Sequence, residues 1–233
     1  MIVAIDGPAG AGKSTTAREL ARQLNWSYID TGAMYRAIAL IATEQRVFDL
    51  RSVDLRSVDD DVLNEDGLTR IARDVKLRFA DNGATLFADE RDVSSQIRTP
   101  EIGAWTSKIA ALPRVRAVIV DLQREIARAA EAECGGAVLE GRDIQTVVFP
   151  DAEVKVFLTA DSSTRSSRRL EQWNDATVSK ADAQRDIEER DARDSSRETS
   201  PLRAAHDAVT ISTDNNSPDE VVAQIVELVR KRR

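Results

Sequence analysis

The segment Gly7-Pro8-Ala9-Gly10-Ala11-Gly12-Lys13-Ser14 constrains the fold of this chain more than any other. It fits G-x-x-x-x-G-K-[ST], lies directly after the apolar run Ile2–Ile5 and leads into the helical pattern Thr15–Leu24, the strand–loop–helix context that the motif requires. Glycines let the backbone bend so that successive N–H groups face one anion, and the N-terminus of the following helix adds its partial positive charge. Lys13 then offers a compact cation to the β- and γ-phosphates, and the Ser14 hydroxyl is placed to ligate Mg²⁺. A glycine-rich turn of this kind also occurs for packing alone. Correct flanks on both sides favour a nucleoside triphosphate site over residues 7–15, without saying what receives the phosphoryl group.

The pattern beyond the cradle predicts an α/β fold. Five short runs rich in Val, Ile and Leu read as buried strands: Ile2–Ile5, Ser27–Ile29, Ala137–Leu139, Val154–Leu158 and Ala208–Ile211. Helical periods lie between most of them, at Thr15–Leu24, Ala33–Ala42 and Pro218–Val229, the last ending in basic Arg230–Arg233. Such alternation predicts a parallel sheet covered by helices. Residues 75–93 break the rhythm: Val75–Phe79 alternates, Asn82-Gly83 is a hairpin signal, and Ala84–Ala88 and Arg91–Val93 are strand-like, so a small antiparallel sheet is inserted. From Asp161 to Pro201 the chain is dense in Arg, Asp, Glu and Ser, with little apolar character beyond Leu170, Trp173 and Ile187. This predicts a mobile, solvated subdomain.

Composition narrows the partners. A chain of 233 residues, 42% hydrophobic, is long enough for a sizeable core. Its 33 Lys+Arg against 40 Asp+Glu leave a formal charge of −7, so the overall field repels nucleic acid and anionic membranes, and any anion needs a local basic site. The one cysteine, Cys134, forms no disulfide within the chain and fits a reducing cytoplasm. Met1–Ile5 carries no export leader, and alanine-rich 103–130 is interrupted by Lys108, Arg114, Arg116 and Asp121, so no membrane span is expected.

Three clusters are candidates for the acceptor. Asp30-Thr31-Gly32-Ala33-Met34-Tyr35-Arg36 follows the second strand, with Thr31 a candidate N-cap and Arg36 about one turn inside the helix, where a guanidinium could fork a phosphate. Glu140-Gly141-Arg142-Asp143 follows the third strand, at the sheet edge where ligands of open α/β sheets collect; Glu140 is placed to hold Mg²⁺ or its waters. Arg190, Asp194 and Arg197 fall at i, i+4 and i+7 and share one helical face, with Asp191 and Arg193 pointing elsewhere. Each has a plainer reading: a solvated arginine, a capping turn, a salt-bridged helix. His206, the only histidine, reads as structural, so no general base accompanies the clusters. A phosphate monoester, with its second pKa near 6, is already an anionic nucleophile at neutral pH and needs none.

Taken together the motifs resemble the bacterial cytidylate kinases, a branch of the nucleoside monophosphate kinases. The resemblance runs from Ile5–Ser14 through Asp30–Arg36, Asp92-Val93-Ser94, Ile97-Arg98, Pro113–Arg116, Glu140–Asp143 and Phe149–Ala152 to Glu189–Asp194. It implies a P-loop three-layer fold in one kinase domain: a core with a five-stranded parallel sheet (1–60, 134–160 and 199–233), a monophosphate-binding antiparallel insert (about 61–133) and a helical Arg-rich lid (about 161–198). It implies ATP-dependent phosphorylation of CMP and dCMP with Mg²⁺, in a cytoplasmic monomer. Thr31, Arg36 and Arg142 would hold the CMP phosphate, Arg190 and Asp194 the sugar hydroxyls, and Ser107, Arg116, Asp143 and Arg197 the cytosine edge. Lys13, Arg36, Arg142 and Arg190 would serve catalysis, with Arg165, Arg168 and Arg169 as donor-side candidates and Ser14 and Glu140 at the metal. Gln145 stands where many members have glycine, which bears on the local turn and on Asp143; Glu140 is one methylene longer than the frequent aspartate.

Other classes fit less well. A GTP-dependent switch would carry D-x-x-G, which is absent, and Ser179-Lys180-Ala181-Asp182 is a poor match to its guanine reader. A nucleic-acid ATPase would need a basic stripe and stacking aromatics. A sibling kinase preferring UMP or AMP is the nearest alternative.

Overall fold

The computed structural model describes residues 1–47, 63–173 and 179–232, with only the backbone for Gln172 and Trp173. Positions 48–60 of the expected core, 61–62 of the insert, 174–178 of the lid, the Trp173 side chain and Arg233 therefore lie outside the described residues. In chain order the elements are β1 (Ile2–Asp6), α1 (Lys13–Leu24), β2 (Ser27–Asp30), α2 (Thr31–Glu44), α3 (Glu65–Asp74), β3 (Leu77–Ala80), β4 (Thr85–Ala88), β5 (Arg91–Asp92), α4 (Pro100–Ile109), α5 (Pro113–Cys134), β6 (Ala137–Gly141), β7 (Val154–Thr159), α6 (Ser162–Trp173), α7 (Lys180–Ser196), β8 (Val209–Ser212) and α8 (Pro218–Arg232).

The expected five-stranded sheet is present, in the order β2-β6-β1-β7-β8. β1 lies at its centre, parallel to β6 with Ile2 opposite Ala137 and Asp6 opposite Gly141, and parallel to β7 with Asp6 opposite Phe157. All five β1 residues are buried, as a strand flanked on both edges and covered on both faces must be. Every strand runs one residue or so beyond its apolar run, because ladder hydrogen bonds continue past the last large side chain.

The chain divides into two compact units, Met1–Tyr28 with Ala129–Arg233, and Ile29–Arg128. In the first, α1 turns Ala17, Leu20 and Ala21 inward and α8 turns Val221, Val222, Ile225 and Val229 inward; these join Val3, Ile5, Val138, Val156 and Leu158 in one core. α8 starts on a reciprocal cap: the Ser217 N–H donates to Glu220 Oε2 at 2.7 Å and the Glu220 N–H to Ser217 Oγ at 3.3 Å. It ends on Arg230, Lys231 and Arg232, favourable at the negative end of the helix dipole.

In the second unit, α2, α3, α4 and most of α5 bury Met34, Ile38, Leu68, Trp105 and Ile119 together with the antiparallel sheet β3-β4-β5. The sheet is where residues 75–93 predicted it, but its first hairpin is longer than a two-residue Asn-Gly turn. Ala80 pairs with Thr85, and Asp81, Asn82 and Gly83 all take positive φ between them. Val75 is not in a strand; it caps α3, its N–H returning to Ile71 O at 3.0 Å.

The lid stretch is more structured than its composition predicts. α6 and α7 form a helix pair with Ala183, Ile187 and Ser166 buried, and α7 opens on a capping box between Ser179 and Asp182. Small residues and arginine–carboxylate pairs replace the missing apolar stripe: Arg165 with Asp191, and Arg169 with Asp186 at 3.0 Å. Among the described residues no helix is long and apolar enough to cross a membrane.

Candidate active site

The cradle is built as its residue types require. Gly7 takes φ 151° where β1 ends, and a Cβ there would stand 2.1 Å from the Leu158 carbonyl oxygen of β7, so no side chain fits. Gly12 is the N-cap of α1 at φ 86°, with no side chain to accept the first helical N–H groups. A helix that begins without a capping oxygen leaves those donors for an anion.

The loop's carbonyls are held from outside. Arg165 Nη1 donates to Ala9 O at 3.2 Å, Arg168 Nη1 to Gly10 O at 3.4 Å, and Thr213 Oγ1 to Ala11 O at 3.3 Å. Arg168 also donates to the hydroxyl and the carbonyl of Thr213, both at 2.8 Å. The expected donor-side arginines 165 and 168 thus grip the carbonyls of the loop. Asp191, which the helical wheel placed away from the site, accepts the Ala9 N–H at 3.3 Å and pairs with Arg165. A wheel describes one helix alone; packing of α7 beside α6 decides which side of α7 meets the loop.

Lys13 is 6% exposed, and its ammonium donates to Pro8 O at 2.8 Å. Burial, with the nearby Arg142 charge, pushes its pKa down from 10.5 to about 7, against the opposing pull of Glu140, Asp6 and Asp194. A bound polyphosphate would restore the charged form. Nucleotide binding above pH 7 should therefore take up a proton, about one at pH 8, and weaken as pH rises. Isothermal titration with ADP in two buffers of different ionisation enthalpy measures this, and no uptake at pH 8 would refute it.

Beside Lys13, Ser14 Oγ donates to Glu140 Oε2 at 2.9 Å, and the Tyr28 hydroxyl donates to Glu140 Oε1. Hydroxyl and carboxylate are hard oxygen donors of the kind Mg²⁺ accepts singly or in pairs alongside phosphate oxygens. Glu140 thus reaches both Ser14 and Tyr28, one on each carboxylate oxygen. Among the described residues no group of three or more His, Cys, Asp or Glu could hold a metal ion.

At the end of β6, Arg142 Nε donates to Asp194 Oδ2 at 2.9 Å and Arg197 Nη2 to Asp194 Oδ1 at 2.5 Å. Burial would raise the Asp194 pKa, but the charges of Arg142 and Arg197 outweigh it and hold the carboxyl below its usual range. Arg197 is not on α7, as its spacing predicted; it is the residue after the helix, at φ −57° and ψ 133°, and meets Asp194 from there. Arg190 pairs within α7 with Asp186 at 3.3 Å. Asp143 is 7% exposed. Its neighbours Ile144 and Gln145 donate their N–H groups to Asp6, whose pKa burial pushes up to about 6 against these two bonds.

Of the remaining predicted residues, Thr31, Arg36, Ser107 and Arg116 lie in the second unit. The N-cap of α2 is Asp30, not Thr31: Asp30 Oδ1 accepts the Ala33 N–H at 3.0 Å, and Thr31 is the first helical residue, buried. Aspartate, one position earlier, reaches the free N–H first, and its other oxygen pairs with Arg98 at 2.7 Å. Arg36 Nη1 donates to Ile97 O at 3.1 Å. Arg116, 5% exposed, donates to Ala110 O at 2.9 Å and lies 5.8 Å from the Tyr35 ring centre. Ser107 Oγ is buried without a hydrogen-bond partner among the described residues. His206, expected to be structural, is 95% exposed and 3.8 Å from Asp207.

The sheet, the uncapped glycine loop and the Lys13, Ser14 and Glu140 cluster define a P-loop nucleoside-triphosphate-binding protein of the α/β class. Residues 3–231 match the cytidylate kinase family, and the chain belongs to it. It is 41% identical over 236 residues to a cytidylate kinase of Carboxydothermus hydrogenoformans, covering 100% of this chain and 98% of that protein. A bifunctional pantoate ligase/cytidylate kinase of a Synechococcus is 46% identical over 99% of this chain, which spans 41% of that relative's length. Of the solved structures, an uncharacterized protein from Eubacterium ventriosum aligns with a TM-score of 0.51 at 14% identity, over 99% of this chain and 98% of that one, a likeness of fold alone.

Proposed function

We propose that this chain transfers the γ-phosphoryl group of ATP to CMP or dCMP, giving ADP and CDP or dCDP. The observation that carries the reading is the Arg142–Asp194–Arg197 cluster in the same unit as the cradle: a paired guanidinium at the carboxyl end of the sheet, suited to a second anionic ester. Family membership supplies the nucleotide.

In this mechanism the cradle N–H groups and Lys13 bind the donor phosphates. Mg²⁺ would be held by Ser14, with Glu140 acting directly or through water, and would supply charge neutralisation. Thr31, Arg36 and Arg142 hold the CMP phosphate, Arg190 and Asp194 the sugar hydroxyls, and Ser107, Arg116, Asp143 and Arg197 the base. An oxygen of the CMP phosphate dianion attacks the γ-phosphorus as the bond to the β,γ-bridging oxygen breaks, and ADP leaves. No side chain has to remove a proton, so catalysis is alignment and charge neutralisation by Lys13, Arg36, Arg142 and Arg190. Arg169 remains a lid candidate for the donor. The enzyme works as a cytoplasmic monomer, on nucleotides rather than nucleic acid or membranes.

ADP release measured across CMP, dCMP, UMP, AMP and GMP tests the reading. CMP and dCMP should exceed the others in kcat/KM by at least about tenfold. A preference for UMP or AMP would replace the substrate, and no ADP release with any monophosphate would overturn the reaction.

A further inference from the structure

We propose that Asp6 is a positioning residue: with buried Gln145 it clamps the turn that follows Arg142 and Asp143, and so sets where these two side chains meet the acceptor nucleotide. The proposal rests on the acceptor-side reading of Arg142 and Asp143 given above.

Asp6 is the last residue of β1, in register with Gly141 on one side and Phe157 on the other, and the chain enters the cradle at the next residue. Its side chain is fully buried. Oδ1 accepts the Ile144 N–H at 3.0 Å and Oδ2 the Gln145 N–H at 2.9 Å. The N–H groups of Thr146, Val147 and Val148 return to the Asp143 carbonyl at 3.3, 2.9 and 3.3 Å. Asp6 therefore takes the two donors of the turn that Asp143 does not. One carboxylate accepting one donor on each oxygen holds the turn in both position and orientation, as a single acceptor would not.

Gln145 completes the clamp. It is 1% exposed; its Nε2 donates to Val156 O in β7 at 3.3 Å, and its Oε1 accepts the Ala205 N–H at 3.0 Å. Its φ is not positive, so the position makes no conformational demand for glycine. The long amide instead ties the turn to a neighbouring strand and to the segment ahead of β8. The turn is thus fixed to β1, β7 and residue 205, directly after the two residues whose placement it sets. A shift of about 1 Å in such groups is enough to lower the rate substantially.

The test compares Asp6→Asn, which keeps the shape but turns an amide N–H₂ toward one of the two donors, with Gln145→Gly, which removes the side-chain ties and leaves the backbone N–H for Asp6. Asp6→Asn should raise KM for CMP by about tenfold and reduce the preference for CMP over UMP by about fivefold, with a smaller rise in KM for ATP because a charge that supports the Lys13 ammonium is removed. Gln145→Gly should raise KM for CMP and reduce the preference for CMP over UMP by about threefold, with KM for ATP within about twofold of wild type. Exchange of the 144 and 145 amide hydrogens should quicken in Asp6→Asn. If ATP and CMP constants of Gln145→Gly shift together, or only thermal stability falls, the clamp is structural and the proposal is overturned; Gln145→Gly decides alone if Asp6→Asn does not fold. Arg142→Ala separates the two failures. A raised CMP KM there with unaltered clamp variants overturns the clamp; unaltered CMP constants in Arg142→Ala overturn the acceptor-side reading, and the clamp's role with it.

Discussion

Replacing Lys13 with alanine lowers kcat by roughly a thousandfold while the protein stays folded, a loss of about 4 kcal/mol of transition-state stabilisation. Lys13 is the cradle's cation, is almost completely buried and donates to one loop carbonyl. In a buried site a fixed charge interacts with transferring phosphoryl oxygens far more strongly than in water, and nothing must reorganise at the moment of transfer. The structural loss is small: Pro8 O forfeits one partner, while the carbonyls of Ala9, Gly10 and Ala11 keep Arg165, Arg168 and Thr213. The depressed Lys13 pKa also means that its replacement removes an unfavourable charge from the nucleotide-free protein. The melting temperature should therefore hold or rise as turnover falls. Turnover within tenfold of wild type, measured by coupled ADP release, would exclude Lys13 from the chemistry.

Replacing Arg142 with alanine raises KM for CMP by roughly a hundredfold, with KM for ATP changed little, as expected when a forked contact to one substrate's phosphate is lost. It also destabilises the fold. Asp194 is 5% exposed and would keep only Arg197 of its two guanidinium partners. Removing one partner of a buried pair costs several kcal/mol when the other charge is stranded. Arg142 is itself 27% exposed and Arg197 remains, so a loss of roughly 1–2 kcal/mol is expected, read by urea unfolding. Arg142→Lys should restore most of the stability but little of the CMP affinity, because an ammonium is a point charge without the fork. Equal recovery of both would mean that charge alone is used at this position.

The fold was legible where its signals are local. β1 and the cradle read correctly because an apolar strand, a glycine at each bend and a Lys-Ser pair at the helix start are all adjacent in the chain. The other strands of the parallel sheet and α1, α2 and α8 read correctly because short Val-, Ile- and Leu-rich runs mark buried strands while a longer apolar period marks half-buried helices. The lid read less well: its core is Ala183, Ile187 and ion pairs rather than a stripe of large side chains, so a count of apolar residues undervalues it. Thr31 and Arg197 were each misplaced by about one residue at a helix end, where two neighbours compete for one free N–H or carbonyl. Thr213 and Tyr28 carry no motif and were missed, Asp191 was read as pointing away, Asp6 had no role assigned within its motif, and Gln145 was noted only for its bearing on the turn. A carboxylate directly before the first cradle glycine was the one signal that could have pointed to Asp6.

By itself the sequence determined the class of fold, the glycine loop between β1 and α1 and the cytidylate kinase signature, since each is written in neighbouring residues or in a short period. Tertiary structure alone decided the partners: Ser14 with Glu140 across 126 positions, Asp6 with Ile144 across 138, and Arg142 with Asp194 across 52. The reason is the parallel sheet. Each strand is joined to its neighbour through a crossover, so strand order and register are settled by burial of the whole core, and only that register brings the ends of β1 and β6 side by side.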